Sequence, residues 1–557
     1  METRGDFFSR WLTPGRGLAV LVLIVVGAAL RLWQYGGNPA LWLDELAVAN
    51  NLLTRPAAIL LSTPLADGQV APPGFLLVSR AVVVTLGGSE YALRLFPLFC
   101  SLAALLGLAT IARRVLLPGG AILATALFAL SPAVAVFAAE AKQYAGDALV
   151  TILLTELALQ WLDAPTGRRG LALALVGMLA AWFSQPAVFV LAGIGLALSL
   201  GAPTGQRRVL VPMLAVWVVV AALAVAYARS RASSGLIAYM RYFWRAGFMP
   251  WPARTADDLF WPWRAIRDVF DLLLDYPWPA LYGVLAAGGA VSLLRRHWRH
   301  GLILSLPVLA ALAAATIHAY PFQVRLVFFL VPSLLLLVAE GAWRLGELTK
   351  LRWGREGVLI GVALPPAIGL VRNPPVWRVD DPRPVLAELQ RQHRPGDVVY
   401  AYYPSWQTLR YYGPRYGFPL DRLDIGACHA TDLHDYLREL DRYRGRPRVW
   451  FFTAFDLTRI VNEQQAMLRY LDAIGIRRSA IEGPSSTRPG TGGLRIRWKE
   501  RRPVTAYLYD LSDPVRLAST TAAEGQLPPA VQYPGVPRCV YGPVVPHVPT
   551  VAAPGAP

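Results

Sequence analysis

The chain has 557 residues, of which 55% are apolar and only 16% charged, and its mean hydropathy is +0.40. A water-soluble protein carries less apolar residue, about 45–50%, so the composition excludes an ordinary soluble enzyme and points to many membrane spans. A net charge of +18 marks a nucleic-acid binder when it forms one basic face; here the arginines flank apolar blocks instead, which excludes that partner.

The first apolar block, Leu18–Leu30, is followed by Arg31 and lacks a small-residue cleavage site, so it is expected to be a retained span and not a removed signal peptide. Blocks of span length fall at 17–36, 95–115, 119–138, 146–162, 170–184, 186–200, 209–228, 277–294, 301–318, 324–343 and 356–371. They predict about eleven spans, several shorter than the ~20 residues of a straight crossing. With Arg4, Arg10 and Arg16 inside, every returning loop is short and basic: Arg113–Arg114, Arg168–Arg169, Arg207–Arg208, Arg295–Arg296 with Arg299, and Arg344 to Arg355. Ala71–Leu86 is also apolar. Counting it as a span would reverse every later loop, so it is expected to be a juxtamembrane or re-entrant helix on the outer side.

Residues 1–372 are thus expected to form the transmembrane part, with outer loops 37–94, 139–147, 229–276 and 318–325. Asn373–Pro375 and Asp380–Pro384 read as a linker. Residues 385–521 read as an outer α/β domain, with strands at Val398–Tyr402, Val449–Phe452, Leu494–Trp498 and Thr505–Tyr509 and a helix over Thr458–Leu471. Residues 522–557 form a Pro-rich tail of the composition that stays disordered. Cys428, in the α/β domain, and Cys539, in the tail, both fall in the C-terminal region, where an extracytoplasmic location would permit a disulfide, and Cys100 sits in an apolar span.

The candidate chemistry gathers on the outer loops. Asp44 and Glu45 follow Leu41-Trp42-Leu43 at the start of an expected helix, Glu45–Thr54. Asp44 reads either as a helix N-cap or as a general base for a hydroxyl at the membrane surface. Glu140, Lys142, Tyr144 and Asp147 bridge two spans; Glu140 with Tyr144, and Tyr144 with Asp147, share a helical face. Carboxylates at lipid depth are costly, which favours function over decoration. His318, Tyr320 and Arg325 precede another span, and Arg94 is placed likewise. An outer guanidinium suits a lipid phosphate, or it anchors to headgroups. The aromatics of Tyr242–Trp244 and Trp261–Trp263 read as an interfacial belt or as sugar-stacking surfaces. No phosphate-cradling Gly-rich loop appears, nor Cys/His spacing for zinc, nor a Gly-x-Ser-x-Gly elbow.

Taken in order, Leu41–Leu46, Ala71-Pro72-Pro73-Gly74, Ser89–Pro97, Ser131-Pro132, Glu140–Asp147 and Tyr320–Arg325 resemble the GT-C superfamily of membrane glycosyltransferases. The likeness is to the branch of protein O-mannosyltransferases and lipid A aminoarabinose transferases, the glycosyltransferase family 39 type, and covers residues 15–370. It implies a polyprenyl-phosphate-linked sugar donor and an inverting displacement on a glycan, lipid or protein acceptor, with the enzyme in a bacterial inner membrane. It also implies Asp44 as catalytic base with Glu45 beside it, and Glu140 as a second acid positioning acceptor or metal. Arg94, Lys142 and Arg325 fall to the donor phosphate, and Tyr144, Asp147, His318 and Tyr320 to the substrate. Divalent-cation use varies in the superfamily and stays open. The chain departs from the pattern at Gly74, where a bulkier basic residue is usual, and at Phe322-Gln323-Val324, where a Gly-rich stretch is expected. The rival reading is a lipid-linked sugar flippase, against which the halves show no repeat.

Overall fold

The computed structural model describes residues 16–349, 353–372, 374–377, 380–429, 434–454, 463–484 and 503–519. Its first part is helical throughout: α1 (Arg16–Gly36), α2 (Leu43–Thr54), α3 (Ala57–Ser62), α4 (Pro73–Leu86), α5 (Glu90–Val115), α6 (Pro118–Leu130), α7 (Pro132–Ala138), α8 (Tyr144–Asp163), α9 (Gly167–Phe183), α10 (Ala187–Gly201), α11 (Arg207–Ser230), α12 (Ser234–Phe243), α13 (Trp261–Asp268), α14 (Pro279–Arg296), α15 (Trp298–Thr316), a 3-10 turn (Val324–Leu330) running into α16 (Val331–Leu348), and α17 (Gly354–Arg372). Proline opens α4, α6 and α14, where its missing N–H costs nothing and its φ suits the first turn.

The chain is a multi-pass membrane protein. Among the described residues seven helices are long and apolar enough to cross a bilayer, and an eighth crossing results if α6 and α7, bent by 57°, form one broken span. Each of the eleven apolar blocks carries a helix, but α9, α10 and α14 lie outside that set. The segment read as juxtamembrane is α4, 14 residues long, or about 21 Å at ~1.5 Å per residue, short of the ~30 Å apolar core. The core sits around Val324–Leu348, whose most apolar stretch is 89% buried, whereas those of α11 and α17 are 22% and 17% buried and face outward.

Helices α14 and α16 cross at two glycines. A Cβ at Gly341 would overlap the carbonyl oxygen of Leu285, and one at Gly289 that of Leu337. Small residues allow this approach where lipid offers no hydrophobic drive. Gly341→Ala is expected to cost roughly 1–3 kcal/mol, read as a lower thermal midpoint in detergent; an unchanged midpoint would mean the crossing has slack.

After α17 come α18 (Pro382–Gln392), β1 (Val398–Ala401), α19 (Trp406–Tyr412), β2 (Asp424–Ile425), α20 (His434–Asp441), β3 (Val449–Thr453), α21 (Glu463–Ile474), β4 (Ile476–Glu482), β5 (Thr505–Asp510) and α22 (Pro514–Ser519). The sheet order is β2-β1-β3-β5-β4, with β1 parallel to both β2 and β3 and β5 antiparallel to β3 and β4. The expected strand Leu494–Trp498, the start of the helix expected from Thr458, the tail from 522 and Cys539 lie outside the described residues.

The sheet region and the 37–94 loop are built on one core. Leu46, Ala49 and Leu52 of α2 and Phe75 and Leu76 of α4 share a buried cluster with Val385, Leu386, Leu409, Tyr412 and Trp450. Polar contacts cross the same seam. The Leu41 N–H donates to the Tyr412 hydroxyl at 2.9 Å, Tyr411 donates to the Gly88 carbonyl at 2.8 Å, and Gln34 exchanges two hydrogen bonds with the Trp377 backbone at 2.9 and 2.8 Å.

Candidate active site

Helix α2 begins where Glu45 Oε2 accepts the Trp42 backbone N–H at 2.9 Å. The cap is therefore Trp42 with Glu45 closing it, not Asp44. Asp44, in the same first turn, lies against Arg325: Asp44 Oδ2 is 2.5 Å from Arg325 Nη2. Arg325 sits at the head of the 3-10 turn leading to α16, and its guanidinium stacks over Trp244, 5.5 Å from the ring centre. Val324, just before it, has φ +45, a conformation costing a β-branched residue about 1–3 kcal/mol.

Glu45 and Arg94 form a second, closed unit. Glu45 Oε1 accepts from Arg94 Nε at 3.1 Å, Arg94 Nη2 at 2.9 Å and the Ala141 N–H at 2.8 Å. Arg94 Nη1 and Nη2 reach the carbonyls of Pro39 and Ala40 at 2.5 and 3.2 Å. The side chains are 2% and 4% exposed. The Arg94 guanidinium, expected at the donor phosphate from its place at the head of a span, is thus turned to Glu45 and to two backbone carbonyls. Together Arg94 and Glu45 tie the 37–45 loop, α5 and the turn after α7 into one piece.

That turn, residues 139–143, carries Glu140 and Lys142, 2% and 5% exposed. The Lys142 N–H donates to the Glu140 carbonyl at 2.7 Å, and Lys142 Nζ to Gln69 Oε1 at 2.8 Å. Burial pulls the Lys142 ammonium below the usual lysine range; Asp44 opposes the shift, Arg325 adds to it, and Glu140 and Glu45 oppose it. Tyr144 and Asp147 follow in the first turn of α8. The Tyr144 ring meets Phe137 at 5.3 Å, and both residues neighbour Tyr320, which packs on Phe189 at 5.0 Å and donates to the Leu326 carbonyl at 2.8 Å. His318 is turned away. It is exposed, at φ +57, with Nε2 2.8 Å from the Met249 carbonyl oxygen and its ring against Phe248, so it does not join the cluster as expected.

Beside Gln69 opens a small groove of about 50 Å³ between α3, α4, α9 and α11, lined among others by Leu65, Leu76, Trp182, Val225, Tyr227 and Arg231. Phe183 covers Gly74 so closely that any Cβ there would strike its ring, which accounts for glycine where the resemblance expected a bulkier residue. Among the described residues no three His, Cys, Asp or Glu side chains converge as a metal-holding set.

One site residue escapes the sequence reading, and another has a different role there. Gln69 receives the Lys142 ammonium from an otherwise unremarkable turn, and no spacing signals it. Trp244 reads as a belt or sugar-stacking aromatic, and nothing local ties it to Arg325, whose guanidinium is found over its ring.

No family model and no curated protein matches the chain. Among solved structures it is similar to ArnT from Cupriavidus metallidurans in the apo state, at 14% identity over 88% of this chain and 97% of that one, with a TM-score of 0.49. The same protein bound to undecaprenyl phosphate gives 14% over 87% and 97%, with a TM-score of 0.47. The Archaeoglobus fulgidus oligosaccharyltransferase, in complex with zinc and sulfate, gives 12% over 81% and 69%, with a TM-score of 0.49.

Proposed function

We propose that the chain is an inverting glycosyltransferase that moves a sugar from a polyprenyl-phosphate carrier to an acceptor hydroxyl on the periplasmic face of a bacterial inner membrane. The observation that carries this reading is the Asp44–Arg325 pair at 2.5 Å, with Lys142 and Tyr144 beside it. A carboxylate, a guanidinium and a lysine are held together on the face where the motif resemblance places the reaction.

Each group has one task. Asp44 takes the proton of the acceptor hydroxyl as its oxygen bonds to the anomeric carbon. The bond from that carbon to the phosphate oxygen breaks, and the electron pair leaves on the polyprenyl phosphate. Arg325 and Lys142 stabilise the charge that grows there, most effectively in a water-poor cleft. Before donor arrives, Arg325 and Asp44 neutralise each other; a phosphate competes for the guanidinium and frees Asp44 to act as base. The prenyl chain enters from the bilayer along the mostly apolar groove beside Gln69. Arg94 and Glu45 hold the frame and touch no substrate. Glu140, Tyr144, Asp147 and Tyr320 form the wall on the acceptor side.

If Lys142 holds phosphate as an ammonium, donor affinity is full while it is protonated and fades as pH rises through its lowered pKa. The alkaline loss of kcat/KM is therefore expected earlier than an ordinary lysine would give. Lys142→Arg should move that limb upward, and a limb unmoved by the exchange would take Lys142 out of the role.

The reading is tested with protein in nanodiscs, a panel of radiolabelled polyprenyl-phosphate sugars and a membrane extract as acceptor source. Transfer of label supports it. No transfer from any donor, with donor crossing the bilayer in reconstituted vesicles, would replace it with the flippase.

A further inference from the structure

Arg31, near the C-terminal end of the first span, is fully buried and has no carboxylate partner among the described residues. Its donors go to neutral oxygens: Nε to Ser101 Oγ at 2.9 Å, Nη1 to the carbonyls of Gly27 at 2.8 Å and Ala129 at 3.4 Å, and Nη2 to the carbonyl of Phe128 at 3.1 Å. The last two lie at the break between α6 and α7. In a continuous helix the Phe128 carbonyl would accept the N–H of residue 132, four places on. That residue is Pro132, which has none. The 57° bend carries residue 133 off the α6 axis and leaves the Ala129 carbonyl without its partner too.

Orphaned carbonyls away from water are costly, and the C-terminal end of α6 is the negative end of its dipole. The guanidinium answers both needs with donors spaced to take three carbonyls and a hydroxyl at once. Gly27 lets the helices meet, since a Cβ there would lie 2.8 Å from that of Ala129. From the bend, α7 leads in seven residues to the 139–143 turn bearing Glu140 and Lys142.

We infer that Arg31 is a positioning residue: it takes the place of the backbone donors lost at the Pro132 break, and so sets the angle at which α7 delivers Lys142 to the Asp44–Arg325 pair. Only the naming of that turn as active-site wall rests on the proposed function; the bend itself is measured without turnover.

The test is hydrogen–deuterium exchange of the full chain in detergent, with peptides spanning residues 127–147. Arg31→Met is expected to speed exchange there by tenfold or more and to leave α14 and α16 as in wild type. Adding Pro132→Ala, which restores an N–H opposite Phe128, should bring back most of the protection, and Arg31→Lys should sit between. Unchanged exchange in Arg31→Met would overturn the inference. If Arg31→Met does not fold, Arg31→Met with Pro132→Ala should fold, and a double variant that also fails would overturn it equally. Loss of transfer with exchange unchanged would count against Arg31 acting through the bend while leaving the proposed reaction in place.

Discussion

Asp44→Asn is expected to lower sugar transfer by about 10²–10⁴-fold, the usual worth of a general base, while the protein folds and holds donor. Asparagine keeps the size of the side chain in the first turn of α2 and removes its basicity. It also strips Arg325 of the anion it faces at 2.5 Å, so donor phosphate no longer competes with the Asp44 carboxylate for that guanidinium. The variant should therefore combine a collapse of kcat with a donor KM equal to or below that of wild type. That split separates a base from a structural carboxylate, whose loss would lower folded protein and leave the remainder active. Near-wild-type kcat would remove Asp44 from the mechanism.

Arg94→Met is expected to act on stability instead. Removing one partner of a buried pair leaves the other as an uncompensated charge, at a cost of about 3–5 kcal/mol, and Glu45 would also lose two of the four hydrogen bonds it accepts. Thermal unfolding should show a large drop, and Glu45→Gln combined with Arg94→Met should destabilise less than the two single changes added together. Donor KM in the surviving folded fraction should be close to wild type. A raised KM at unchanged stability would return Arg94 to the phosphate.

The same contrast shows what local sequence carries. Apolar blocks announce helices because burial of a whole helix surface in lipid is written into every residue of the block, and all eleven blocks contain one. Asp44, Arg325 and Lys142 stood out because charge at a membrane surface is expensive. Their pairing could not be read, because Arg325 and Arg94 look alike from either side of their spans, and only packing turns one toward Asp44 and the other toward Glu45. The capping of α2 by Trp42 was obscured by Asp44, the commoner cap residue. Strand β4 escaped because Arg477, Arg478 and Ser479 give it the polar look of an edge strand. Val324 explains a departure from the resemblance: the expected glycine would adopt φ +45 freely, and here valine holds that turn next to Arg325.

The seam between the 37–94 loop and the sheet region has a consequence for biosynthesis. Leu41 and Tyr412, joined by a hydrogen bond, are 371 residues apart in the chain. At ~5–20 residues per second of translation, α2 emerges about 20–70 s before the sheet that completes its core. Throughout that interval Leu46, Ala49, Leu52, Phe75 and Leu76 lack the cluster partners that the sheet region supplies, so the segment carrying Asp44 is among the last to settle although it is among the first to be made. A ribosome that stalls before about residue 450 would leave a nascent chain with its spans inserted and its Asp44 loop unsupported, a natural substrate for quality control at the membrane.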